Sequence, residues 1–205
     1  MGRRKIFCAA LAAVLLFRVG GRVPAQENPP VLYAAGYEKN RGGKWAATVW
    51  KIDGSTVTPV VLTNGTWHAG VVGITGNGGS FYAAGYEENS GGNTAMVWKI
   101  EGSTVTPIPL TGGVQDAQVL GLAESGGSFY AAGWEHSGGG KRVAMVWKID
   151  GSTVTPIPLT DGTDAAEAWG IAAIGSGGPP VLCVVGNEGD YGECVTIMAW
   201  EIYGW

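Results

Sequence analysis

The sequence predicts an all-β chain built from a repeated four-stranded unit, and three observations carry that prediction. Glycine supplies 36 of the 205 residues, more than twice the average usage of about 7%, so turns are frequent. The segment VWKIDGSTVTP at Val49 to Pro59 returns as VWKIEGSTVTP at Val97 to Pro107 and as VWKIDGSTVTP at Val146 to Pro156, at shifts of 48 and 49 residues. Between these copies, apolar runs alternate with turn residues every eight to twelve positions, the pattern of short antiparallel strands. With 45% hydrophobic and 15% charged residues, the chain has the apolar content of a folded protein rather than a disordered one.

The start of the chain reads as a leader. Arg3, Arg4 and Lys5 precede a twelve-residue apolar run, Ile6 to Phe17, followed by Val23-Pro24-Ala25. This is the charged, apolar, small-residue order of a secretory signal, and the run is short for a bilayer span. Residues 1–25 are therefore expected to be removed, leaving Gln26 first and placing the protein in the periplasm, on the cell surface or outside the cell. Cys8 lies inside the apolar run without lipoprotein spacing, so no lipid anchor is expected. Cleavage takes away five of the thirteen Lys and Arg and none of the seventeen acids, which leaves 8 − 17 = −9. So acidic a surface disfavours nucleic acid and anionic lipid as partners, and no membrane insertion is expected after cleavage.

The repeat then sets the domain organisation. A second marker, YAAGYE at Tyr33 to Glu38, recurs as YAAGYE at Tyr82 to Glu87 and YAAGWE at Tyr130 to Glu135, and decays to CVVGNE at Cys183 to Glu188. The first marker decays in step, to AWEIYG at Ala199 to Gly204. Four units follow, about 31–67, 68–115, 116–164 and 165–205, in one domain spanning 26–205. Residues 119 to 160 show the strands of one unit, here a to d: Val119 to Ala123, Phe129 to Trp134, Val143 to Ile149 and Thr153 to Leu159. Asp150-Gly151 between strands c and d predicts a type I′ hairpin.

Strands b and c lack polar alternation and read as buried on both faces, with their Ala and Gly suited to crowding where the sheets converge. Strand d carries Pro107 and Pro109 or Pro156 and Pro158 and reads as an edge, because proline cannot donate to a ladder. Four strands per unit of about 48 residues, running a to d from interior to rim, predict a β-propeller rather than a β-helix with shorter coils or a sandwich without a long repeat. The first unit begins at strand b and the last stops after strand c, giving bcd, abcd, abcd, abc. An incomplete or four-bladed ring, closure as a strand-paired homodimer in place of a monomer, and a truncated array remain alternatives.

The Tyr-Ala-Ala-Gly-Tyr-Glu, Val-Trp-Lys and Leu-Thr-Asp-Gly pattern resembles tandem β-propeller-like repeats of secreted bacterial proteins, over about residues 31 to 205. The resemblance implies a propeller, an envelope location and a scaffold without transferable catalytic residues.

Candidate sites follow from the repeat register. Trp50, Trp98, Trp147 and Trp200 share the centre of strand c and are expected to pack between blades; the alternative is a ring of platforms for sugar faces. Trp45, Trp67, Trp134 and Trp169 fall at strand ends or turns, where a repeat scaffold specialises, and are candidate ligand contacts. Glu38, Glu87, Glu135 and Glu188 recur after strand b. They would suit a hard cation such as Ca²⁺ if they converged, against solvated turn carboxylates if they did not; no calcium-loop spacing is present, and no cofactor is expected. Two histidines, His68 and His136, sit at unrelated repeat positions, and no nucleophile, zinc or phosphate motif appears, so no catalytic residue is assigned and an enzyme is not expected. Cys183 and Cys194 flank the fourth b–c turn and read as a disulfide or as two small buried thiols. The functional expectation is an exported non-catalytic scaffold binding a protein or carbohydrate; the alternative is a hydrolytic propeller using acids at its channel mouth.

Overall fold

A computed structural model describes residues 31–77, 79–174, 181–189 and 196–203; the leader predicted over residues 1–25 lies outside them. Among the described residues the chain is all-β, without helix, and forms four antiparallel sheets in a propeller-like arrangement. The first sheet holds β1 (Leu32–Lys39), β2 (Trp45–Asp53) and β3 (Thr56–Val61). The second holds β4 (Ala69–Asn77), β5 (Ser80–Asn89), β6 (Gly92–Glu101) and β7 (Thr104–Pro109), and the third β8 (Ala117–Ser125), β9 (Ser128–His136), β10 (Arg142–Asp150) and β11 (Thr153–Pro158). The fourth holds β12 (Ala166–Ile174), β13 (Val181–Glu188) and β14 (Thr196–Tyr203). Each sheet is a meander in chain order, so among the described residues the strands run bcd, abcd, abcd, abc, as expected.

The sheets pack face to face in series. Strand β4 lies against β1 and β2 of the first sheet, β8 against β4, β5 and β6 of the second, and β12 against β8, β9 and β10 of the third. Alternation along each strand assigns every other residue to one neighbour. On one face of β5 and β6, Ala83, Trp98 and Ile100 join Ala35, Val49 and Leu62 of the first sheet; on the other, Tyr82, Ala84 and Val97 join Phe129, Ala131 and Trp147 of the third. The third joint repeats the second, with Tyr130, Ala132 and Val146 against Leu182, Val184 and Ile202. Alanine recurs in strand b because the neighbouring sheet's tryptophan needs the space, and Trp98 and Trp147 are wholly buried. Strand d is the exposed edge its prolines predict: Pro107 pairs with Trp98 and Pro156 with Trp147, outside which no further strand is bonded.

Glycine in strand b has a different cause from the expected crowding between sheets. Each of β4, β8 and β12 carries a bulge, at Val71/Gly73, Val119/Gly121 and Ala168/Gly170. The bulge turns a carbonyl of strand a toward strand b, so that a Cβ on Gly85, Gly133 or Gly186 would collide with the carbonyl oxygen of Gly70, Gln118 or Glu167. The constraint is therefore inside each sheet. The first sheet has no strand a among the described residues, and there Gly36 meets only the Trp50 ring, 3.4 Å from an added Cβ.

The c–d turns also depart from expectation. Asp53, Glu101 and Asp150 stay in their strands, paired with Thr56, Thr104 and Thr153, and the two linking residues are Gly-Ser. Gly54, Gly102 and Gly151 have φ of 58°, 61° and 62°, and no described non-glycine residue has positive φ. Positive φ at the first central position alone is the type II′ pattern, not type I′. Keeping the acid in the strand lets Asp150 accept a hydrogen bond from Ser128 Oγ at 3.1 Å and pair with Lys148 at 3.5 Å. The type I′ requirement of two positive φ values is met instead in the a–b turn at Gly126 and Gly127, at 61° and 85°.

Candidate functional site

Antiparallel meanders place the described b–c loops and d–a connections at one end of the sheets. That end is braced by one recurrent device. The Asn40 side chain donates to the Gly65 carbonyl at 2.8 Å, and Asn89 donates to the Gly113 carbonyl at 3.2 Å and to Thr94 Oγ1 at 2.9 Å. Each ties a b–c loop to the following d–a connection. The carbonyl, having exchanged water for a side-chain amide, is satisfied, and the loop gains a fixed conformation.

The candidate tryptophans all lie at this end, three exposed and one buried. Trp45 is 40% exposed, at the start of β2, with its ring edge-on to Tyr37 at 5.0 Å and Lys39 Nζ 5.6 Å above it. Its backbone N–H donates to His68 Nδ1 at 3.2 Å, which joins the first sheet to the connection leading into the second. Trp67 lies in that connection, also 40% exposed. Trp169 is 45% exposed on the bulge of β12, and its Nε1 donates to Glu167 at 3.1 Å. Trp134 differs: it is buried, with the Arg142 guanidinium stacked 4.1 Å from its ring centre and His136 beside it. It occupies the repeat position of Tyr37 and Tyr86, so it is a recurrent aromatic rather than an isolated one.

Charge at this end is organised across sheet boundaries. Arg142 of β10 bonds Glu167 of β12, and Lys141 lies 3.7 Å from Asp164. Asp116 accepts from the Asn93 N–H at 2.7 Å and faces the His136 imidazole at 4.0 Å. Arg142 thus holds a cation–π contact and an ion pair at once, which rigid planar guanidinium geometry favours. Burial pushes the Tyr86 phenol up, with the nearby Glu88 and Tyr37 adding to it.

The four recurrent glutamates sit in four separate sheets. Glu38 is exposed; Glu87, Glu135 and Glu188 are half-buried beside strand a, at Ala69, Ala117 and Ala166. Burial raises the pKa of Glu87 and Glu135. Among the described residues no group of three or more His, Cys, Asp or Glu side chains is placed to hold a metal ion. Cys183 is half-buried on β13 opposite Glu201, five register positions from the Glu188–Thr196 end of the ladder. Cys194 lies outside the described residues.

Of the strand c tryptophans, Trp98 and Trp147 are core, whereas Trp50 and Trp200, in the first and fourth sheets, remain partly exposed. Sequence reading assigned no individual role to Asn40, Asn89, Asp116 or Arg142, and read Glu167 only as one of three clustered acids with Asp161 and Asp164. The signal for Asn40 and Asn89 was present, since both stand at the same offset after the Tyr-Ala-Ala-Gly-Tyr-Glu marker. Asp116, Arg142 and Glu167 act across sheet boundaries, where no sequence spacing records contact. Compared with protein-family models the chain matches none, and no curated protein is significantly similar to it.

Proposed function

We propose that the protein is an exported, non-catalytic binding scaffold of the β-propeller type, and that the end bearing the b–c loops and d–a connections is its recognition surface. One observation carries the reading: Trp45, Trp67 and Trp169 stand exposed at this braced end, while the tryptophans of the two inner strand c positions are wholly buried. Exposed indoles on a rigid support give large apolar contact with little ordering cost. The ligand class they suit best is neutral carbohydrate, because pyranose faces stack on indole and the −9 balance of residues 26–205 repels anionic chains.

The test is affinity electrophoresis of the protein through gels containing neutral polysaccharides such as xylan, mixed-linkage glucan or mannan. Retardation by one of them is expected. It should fall at least about tenfold in apparent affinity in Trp169→Ala or Trp67→Ala, in line with the hot-spot weight of tryptophan, with circular dichroism unchanged. Migration unaffected by every neutral polysaccharide, or retardation insensitive to these substitutions, would overturn the carbohydrate reading.

A further inference from the structure

Independently of what the loop end binds, the repeat predicts what should cover two faces that the structure leaves open. Each inner joint shows the partner of each sheet face. Strand c valines Val49, Val97 and Val146, and strand b alanines Ala84 and Ala132, are buried against the following sheet. At the same positions in the fourth sheet, Ala199 is exposed and Val185 is 49% exposed, with Ala172 and Ile174 of β12 exposed beside them. The first sheet is open on its opposite face. Trp50, Ile52 and Ala34 are only half-buried there, although Trp98 and Trp147, Ile100 and Ile149, and Ala83 and Ala131 are buried at the equivalent positions, and Val57 is 56% exposed. The loop end of this face, at Ala46 and Thr48, is already buried.

The two open faces are the two halves of a joint the chain makes three times within itself. The first and fourth sheets do not supply it to each other, as the exposure of Trp50, Val57, Val185 and Ala199 shows. We propose that a second copy of the chain supplies it: the open face of one first sheet packs on the open face of the partner's fourth sheet, and two copies close a ring of eight sheets. Head-to-tail contacts form rings when their rotation closes, and eight blades is within the four-to-eight range of propellers. Among the described residues the first sheet lacks the strand a that carries each inner joint, so the contact between copies rests on Ala34, Trp50, Ile52 and Val57 of its strands b, c and d.

Light scattering after size exclusion tests this on the purified protein, with Val57→Arg, Val185→Arg and Val114→Arg as variants. Val114, 81% exposed in a d–a connection, belongs to neither face. The expected result is a discrete dimer that persists in Val114→Arg and dissociates at least tenfold more readily in both Val57→Arg and Val185→Arg, all with unchanged β-sheet circular dichroism. A monomeric parent protein would overturn the proposal, as would a mass that climbs continuously with concentration. A dimer lost in only one of the two face variants would also overturn it, since that pairs like faces rather than unlike ones.

Discussion

Replacing Gly133 by alanine probes the sheet geometry at its tightest point, and Gly36→Ala supplies the control at the same repeat position. In the third sheet the new Cβ would collide with the Gln118 carbonyl oxygen while lying 2.9 Å from its carbon and 3.0 Å from Val119 Cα. All three obstacles are backbone. Carbon atoms at rest are about 3.5–4.0 Å apart, so β8 must retreat by half an ångström or more, lengthening the ladder on both sides of its bulge. Overpacking of this kind costs about 1–3 kcal/mol, occasionally more, and the strained hydrogen bonds place Gly133→Ala at about 3 kcal/mol. In the first sheet the added Cβ reaches only the Trp50 ring at 3.4 Å, and neither glycine has positive φ. Gly36→Ala should therefore be neutral or stabilise by up to about 1 kcal/mol through the unfolded chain. Urea unfolding followed by circular dichroism measures both. Equal destabilisation by the two substitutions, or less than about 1 kcal/mol for Gly133→Ala, would refute the bulge as the reason for the recurrent spacing of glycine in the repeat.

Other perturbations separate the remaining parts of the account. Trp147→Ala should cost about 3–5 kcal/mol in urea midpoint analysis, as a wholly buried indole does, and Trp67→Ala under about 0.5 kcal/mol, as an exposed substitution does. Glu87 and Glu135 have folded pKa values raised by burial, so the stability they carry is full below their unfolded pKa and is lost as pH rises through the folded one. Glu87→Gln with Glu135→Gln should consequently remove a fall in stability between about pH 4 and the folded pKa values, and the difference between parent and variant unfolding midpoints across pH reads it; a parallel pair of profiles would contradict the sign. A double-mutant cycle on Arg142→Met and Glu167→Gln should give a coupling of about 1 kcal/mol, at the upper end for partly exposed pairs, because both partners are half-shielded and the guanidinium is held by Trp134. Coupling that survives unchanged in 1 M salt would indicate a packing effect instead of an ion pair.

Much of the fold was legible because duplication wrote it more than once. Aligning the VWKIDGSTVTP and YAAGYE copies with one another is enough to place strands b and c in register, and the prolines of strand d mark the edge by what they cannot donate. The bulges of β4, β8 and β12 were not legible: a bulge adds one residue to strand a, and Val72, Leu120 and Trp169 at that position share no residue type. Its only trace is the glycine opposite, which reads equally as crowding between sheets. The turn type was misplaced by one residue for a related reason, since Asp-Gly and Gly-Ser are both turn pairs and only the cross-strand partner of Asp150 distinguishes them. At the loop end the exposed tryptophans were visible as non-repeating aromatics. Trp134 was separable from them, because the YAAGWE marker aligns it with Tyr37 and Tyr86; its stacking with Arg142, on the paired strand, was not legible.

Oxidation of tryptophan by N-bromosuccinimide, read residue by residue after digestion, tests most directly the division between joints and surface. Trp45, Trp67 and Trp169 are expected to react first, and Trp98, Trp134 and Trp147 to stay intact until the protein unfolds. Reaction of Trp98 or Trp147 at the rate of Trp67 would contradict the packed joints, and protection of all three loop-end tryptophans in the free protein would contradict the recognition surface.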